Sequence, residues 1–262
     1  MLLLPPSDYA KAMKALEAVT INHLFIRTVL EQKVDGTVYG DDLLCPRAFY
    51  VAHPYGMALL YGQDDGNEAF HQSLRAYFLN VNGVRTSAEW VQVFPHAWTA
   101  LLEPLCGTKI LRNTRVNFRF SPEHYRQYRA NVSLDGYKIV RTDAALYGQM
   151  KGSVIPHYFW RNQEHFLREG VGYTVVCDDK PASTAYSAFI HEPEFEIGIE
   201  TLAEYRGRGL AQLACTALID YCMERDLTPV WSCRRENIGS YKLACKLGFE
   251  PTLELPFYQL AV

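Results

Sequence analysis

The chain lacks the marks of several large protein classes. Its seven cysteines (45, 106, 177, 215, 222, 233 and 245) form no C-x-x-C pair and are odd in number. No disulfide framework is expected, and the thiols read as small core residues of a reduced, cytoplasmic protein. The eight histidines show no H-E-x-x-H or other ligand spacing, so no metal is expected. No window approaches ~18 uninterrupted apolar residues, so no membrane span is expected. The opening Met1-Leu2-Leu3-Leu4-Pro5-Pro6 has no basic residue, and its prolines break the apolar run too early for a signal peptide. An excess of one charge is also missing. With 26 Lys and Arg against 29 Asp and Glu, the net charge is −3, and no global field draws the chain to nucleic acid or an anionic membrane. No repeat, low-complexity tract or G-x-S-x-G elbow is visible.

What remains is an ordinary globular composition. The 262 residues are 48% hydrophobic and 21% charged, with 17 Tyr, 13 Phe and 4 Trp. That excludes a disordered chain and gives enough length for one large domain or two modest ones. Residues 109–141 are locally basic (Lys109, Arg112, Arg115, Arg119, Arg126, Arg129, Lys138, Arg141). A solvated face is the simpler reading; a patch meeting an anionic ligand is the other.

Periodicity predicts a helix over 8–32, strands at 48–52 and 57–61, and a helix over 67–79. The stretch 84–105 reads as partly helical. A strand is expected at 117–120, then a helix capped by Ser121 with Pro122 at its first position. From Leu134 onward the pattern is orderly: a strand at 137–140, helical material at 143–150 and 161–169, then strands at 172–177, 184–190 and 195–202. A long amphipathic helix follows at 209–225, with Leu210, Leu213, Ala214, Ala217, Leu218, Tyr221 and Cys222 as its apolar stripe. A strand at 229–233, a helix at 237–247 and two short strands at 249–253 and 256–260 complete the chain. A domain boundary is expected within 121–135, giving units of 1–125 and 126–262.

Chemistry concentrates after residue 190. Glu194-Phe-Glu-Ile-Gly-Ile-Glu-Thr-Leu202 runs as a strand into Ala203-Glu-Tyr-Arg-Gly-Arg-Gly-Leu-Ala211 and then into the long helix. Strand, glycine turn and helix is a layout for holding phosphate: free N–H groups at the helix start face the anion, aided by the macrodipole. Arg206 and Arg208 add positive charge. The nucleotide P-loop pattern is absent, and Gln212 stands where the dinucleotide fingerprint requires its third glycine.

The wider pattern is more specific. Arg206, Gly209 and Ala211 match the [RQ]-x-x-G-x-[GA] signature. Further on come Asn237-Ile-Gly-Ser240 and Leu243-Ala-Cys-Lys-Leu-Gly-Phe249. On these motifs the region 134–262 resembles the GNAT superfamily of acetyl-CoA-dependent N-acetyltransferases. Glu196 to Thr201 and Pro229-Val-Trp231 are similar to the subgroup that includes the zwittermicin A-resistance acetyltransferase. The resemblance implies an α/β (α+β) fold, with a mixed, mainly antiparallel twisted sheet flanked by helices. An N-terminal α/β domain would build the acceptor wall or a dimer contact.

Residue by residue, the resemblance implies that Ile199, Glu200 and Thr201 pair with the pantetheine arm. Gly207, Arg208, Gly209, Leu210, Ala211 and Gln212 would wrap the pyrophosphate. Arg206 would order the loop, and Asn237 and Ser240 would touch the cofactor; a helix cap is the plainer role for Asn237. The reaction implied is direct acetyl transfer to a primary amine of a small molecule. Glu196 and Glu200 lie four apart on one strand and so share a face. Either is a candidate base, or both are surface charges. One departure stands out: the family's usual tyrosine acid, seven residues after the Asn, is Ala244 here. Tyr241 and Cys245 are near it, and no general acid is assigned. Two alternatives stay open: a protein or peptide N-acetyltransferase, and a CoA-binding module without catalysis.

Overall fold

The computed structural model describes residues 1–262. In chain order the first elements are β1 (Leu2–Leu3), α1 (Tyr9–Leu16), α2 (Leu24–Leu30), β2 (Thr37–Gly40), β3 (Ala48–Ala52), β4 (Met57–Gly62), α3 (Glu68–Phe78), β5 (Glu89–Phe94), α4 (Ala97–Cys106) and β6 (Leu111–Phe120). Then follow α5 (Pro122–Arg129), β7 (Lys138–Arg141), α6 (Ala144–Gln149), α7 (Gln163–Glu169), β8 (Gly172–Cys177), β9 (Lys180–His191) and β10 (Glu194–Thr201). Last are α8 (Leu210–Met223), β11 (Thr228–Arg234), α9 (Ile238–Lys246) and β12 (Phe249–Leu260). The sheet is mixed and mainly antiparallel, as expected, with helices between its strands.

The chain folds as two compact units. One comprises Met1–Val116, Arg234–Glu236 and Glu254–Val262; the other comprises Asn117–Cys233 and Asn237–Leu253. The sequence suggested consecutive units of 1–125 and 126–262. The units found here are interleaved, because β12 runs on from the second into the first, where its end pairs antiparallel with β5 (Tyr258↔Val91, Leu260↔Glu89).

In the first unit the expected helix over 8–32 is two helices. Val19, Thr20 and Ile21 are stiff β-branched residues in a row, and Val19 and Ile21 are buried where the chain turns. The Asn22 side chain then accepts from Leu24 N at 3.2 Å and restarts the helix. The stretch 84–105 is partly helical, as expected, with a strand ahead of the helix. Glu89, Val91 and Val93 alternate inward as a strand, and the helix begins only at Ala97. The core gathers Tyr50, Leu60, Phe70, Leu74, Phe78, Val91, Trp98 and Tyr258, each large side chain contributing about 1.5–3 kcal/mol. Glu89 is buried among them and accepts hydrogen bonds from the hydroxyls of Tyr50 and Tyr77.

In the second unit Ser121 caps α5 as expected, its Oγ accepting from His124 N. Helix α5 lies against α8: Tyr125 donates to Asp220 at 2.7 Å, and Arg129 Nε donates to the same carboxylate at 2.8 Å. With α5 on one side and the sheet on the other, α8 buries more than one stripe. Cys215, Thr216 and Ile219 are covered as well as Leu210, Leu213 and Leu218. The seven thiols are free, and four of them (Cys106, Cys215, Cys222, Cys233) are buried; Cys45 and Cys245 are exposed, which corrects the core reading for those two. Burial pushes the Cys222 thiol up to about 12. Part of the basic stretch is taken up in ion pairs, Arg119 with Glu250, Arg129 with Asp220 and Lys138 with Asp179 in this unit, and Arg112 with Glu103 in the first.

Candidate functional site

Strand β10 is where the sheet of the second unit divides. It pairs with β9 along its whole length. Its parallel register with β11 covers only Glu194↔Thr228, Phe195↔Pro229 and Glu196↔Val230. Beyond Glu196 the two strands run on without pairing, and the β10 edge over Ile197–Thr201 offers its backbone groups to another extended chain. The parting coincides with a bulge. The register with β9 passes from Glu196↔Phe189 to Ile197↔Ser187, leaving Ala188 as the extra residue. Such an insertion bends the strand pair and tightens its twist.

The faces of β10 alternate. The Phe195 ring meets Tyr221 of α8, with centroids 6.4 Å apart, so odd positions face that helix. Glu196, Gly198 and Glu200 face the other way. At Gly198 a Cβ would stand 2.5 Å from Tyr186 Cζ, so the tyrosine ring lies across the strand there. Tyr186 is itself held edge-on by Phe159 and Phe166.

The two carboxylates on this face differ in their surroundings. Glu196 is 4% exposed and sits at the last pair before the strands part. Glu200 is bound up in hydrogen bonds. Its Oε2 accepts from Ser153 N at 2.9 Å and Val154 N at 3.0 Å, and its Oε1 lies 3.5 Å from the Arg206 guanidinium. Gly152 makes that approach feasible: its φ is +135°, and a Cβ would be 2.5 Å from Glu200 Oε2. The segment 152–154 was not singled out in the sequence. A glycine after Lys151, at the end of a helical stretch, was the one signal available.

The loop after β10 is open. Gly207 and Gly209 have φ of +75° and +77°, and nothing lies within 4 Å of a Cβ built on either. Both therefore supply left-handed backbone and room for a ligand to approach. The first backbone bond of α8 runs from Leu213 N to Gly209 O at 3.3 Å, and Gly209 provides no side-chain cap. The N–H groups of Gly207, Arg208, Gly209, Leu210, Ala211 and Gln212 are thus left for an external acceptor. The Leu210 side chain is buried and anchors the helix start. Arg206 Nε donates to Thr201 O at 3.1 Å, closing the loop onto the strand end. Arg208 is exposed above the Tyr205 ring, 5.4 Å from its centroid. Ile199, Glu200 and Thr201 are half-buried, and Thr201 Oγ1 is hydrogen-bonded to Ser183 Oγ at 2.7 Å.

Asn237 caps α9, its Oδ1 accepting from Ser240 N at 3.2 Å. Ser240 Oγ accepts from the Trp231 indole at 3.2 Å, which leaves its own proton to donate. Ala244 is wholly buried. Tyr241 packs edge-on against Phe118 at 5.4 Å, and partial desolvation raises the pKa of the exposed Cys245 thiol.

Comparison with known proteins adds four findings. A family described as GNAT acetyltransferase matches residues 16–258, so the match takes in the first unit as well as the second. A Bacillus subtilis protein, described as the uncharacterized N-acetyltransferase YdfB, is 28% identical over 236 residues, 89% of each chain. Among solved structures, a GCN5-related N-acetyltransferase-like protein from Streptococcus suis superposes with a TM-score of 0.73 at 23% identity, over 97% of this chain and 99% of that one. A tandem GNAT protein from the clavulanic acid biosynthesis pathway superposes at 0.65 and 13% identity, over 99% and 97%. These two likenesses are ones of fold.

Proposed function

The chain belongs to the GNAT acetyltransferase family, an acyltransferase family, and we propose that it passes acetyl from acetyl-CoA directly to a primary amine of a small molecule. The observation that supports this most is the parting of β10 from β11 after Glu196, followed at once by a loop whose amides have no internal acceptor. Acetyl-CoA supplies the acetyl group already activated as a thioester. The fit is good on the chain's own terms. An extended amide-bearing arm matches the unpaired edge of Ile197–Thr201. A pyrophosphate matches the N–H groups of Gly207–Gln212, backed by the helix dipole and by Arg206 and Arg208. Asn237 and Ser240 present an exposed amide and a hydroxyl proton at the start of α9.

Within this reading the two carboxylates divide the work. Glu196 takes the proton from the incoming ammonium, because its carboxyl stands at the fork where the sheet opens. Glu200 holds the 152–154 segment and Arg206 in place through its three contacts. No side chain is assigned as acid, since Ala244 has none to offer. The small-molecule acceptor follows from the resemblance to the zwittermicin A-resistance subgroup.

Calorimetry with acetyl-CoA, then thiol release over a panel of small amines and peptides, tests the reading. Binding with release on a small amine is expected. Glu196→Gln should lower kcat about 10²–10⁴-fold at unchanged acetyl-CoA affinity, whereas Glu200→Ala should weaken acetyl-CoA binding. A full rate for Glu196→Gln removes it as the base. Release on peptides alone would make the acceptor a protein. Binding without release on any amine would make the chain a CoA-binding module, a result that Ala244 specifically allows.

A further inference from the structure

The element order of the chain repeats. From β1 to β6 it reads strand, two helices, three strands, helix, strand, helix, strand; from β7 to β12 it reads the same. The pairings repeat too. β1 to β4 are joined by three antiparallel ladders and β4 to β5 by a parallel one. β7 to β10 are joined by three antiparallel ladders and β10 to β11 by a parallel one. Even the last strand follows the plan: the end of β12 completes the first unit beside β5, and β6 lies beside β11. The first unit therefore has a place equivalent to the acetyl-CoA loop, where β4 runs through Gln63–Asn67 into α3.

That place is closed. β4 and β5 stay paired over five residues, from Met57↔Trp90 to Tyr61↔Phe94, and do not part. The carbonyl of Gly62, at the end of β4, is taken by the Trp98 indole at 3.1 Å. Trp98 is 2% exposed and meets Phe70 and His71 edge-on, so an aromatic core fills the strand end. The loop carries Asp64 and Asp65 where the other carries Arg206 and Arg208. Asp64 accepts from Gly66 N and lies 2.7 Å from His71 Nε2, and Asp65 pairs with Arg47. The helix start is satisfied from within, the Asn67 side chain accepting from Phe70 N at 3.1 Å. β4 reads Met-Ala-Leu-Leu-Tyr-Gly and has no carboxylate to match Glu196.

We propose that the first unit is a second copy of the same fold whose cofactor site is shut, so that each chain binds a single acetyl-CoA, at Gly207–Gln212. A diphosphate would meet two carboxylates and an occupied helix cap at the first loop. It would meet two guanidinium groups and open amides at the second. The proposal rests on the acetyl-CoA reading of the second loop.

Hydrogen exchange on the full chain, with and without saturating acetyl-CoA, separates the two loops, and calorimetry counts the sites. The expected result is one site per chain, exchange slowed at least about tenfold over residues 207–212, and no change over 63–70. Two sites, or slowed exchange over 63–70, overturns the closed copy while leaving the acetyl-CoA reading intact. No heat and no slowing at either loop overturns the acetyl-CoA reading, and the count of one with it.

Discussion

His53 shows how one residue's burial becomes a solution property. It sits in the turn between β3 and β4, 2% exposed, and its Nδ1 accepts from Tyr55 N at 3.0 Å. Burial lowers its pKa from 6.5 to about 3. Between those values the unfolded chain binds a proton that the folded chain refuses, so stability falls as pH drops from about 6.5 toward 3 and is fully present above 6.5. The slope from this group approaches about 1.4 kcal/mol per pH unit. Urea unfolding at pH 7 and pH 5 should show the loss. His53→Asn, whose amide can accept the same N–H, should flatten it relative to the unchanged chain. At this scale the sequence was a good guide to residue type and a poor guide to environment. The spacing of Glu196 and Glu200 placed them on one face, but it could not distinguish a buried carboxyl at a fork from one tied to Ser153, Val154 and Arg206. That difference depends on Gly152, a residue 48 positions earlier in the chain than Glu200.

Elements with strong local signals were legible: the Ser121 cap, the run of α8, and the strands at 48–52 and 57–61 all lie where propensity puts them. Elements decided by partners were not. β5 is a strand because Glu89, Val91 and Val93 alternate into a core made by other segments, and β12 is one strand rather than two, placed between β5 and β6 in the sheet. The open loop stands between these cases. Its glycines were visible, but their need for positive φ is a property of the fold. Gly209→Ala should cost about 1–2 kcal/mol, the price of a left-handed backbone for a residue with a Cβ. No clash adds to it, because the space around that Cβ is empty. The same distortion should misalign the amides after it and weaken acetyl-CoA binding about tenfold, since 1.4 kcal/mol is a factor of ten. Paired thermal unfolding and calorimetry of the variant check both effects.

For the molecule as a whole, the repeat was invisible in the sequence and plain in the fold. Two copies of one plan need share only their pattern of buried and exposed positions, not their residues. The loop of the first copy is acidic and self-capped, as the proposed closed site requires. The repeat also changes what a boundary near residue 125 means. A fragment of 126–262 would lose Phe118 and Phe120, which are 7% and 9% exposed and pack on Tyr241 and Phe249. At about 1.5–3 kcal/mol each, that loss is large against a total stability of about 5–15 kcal/mol. The fragment alone should lack a cooperative unfolding transition, and co-expression with 1–125 should restore one; a well-folded fragment with full acetyl-CoA affinity would contradict the interleaving. Strands lent by one half to the other are familiar from pairs of separate chains, where dilution undoes them. Here both loans lie on one polypeptide, so each strand meets its place at an effective concentration on the order of millimolar. The pairing of the end of β12 with β5 is therefore independent of protein concentration.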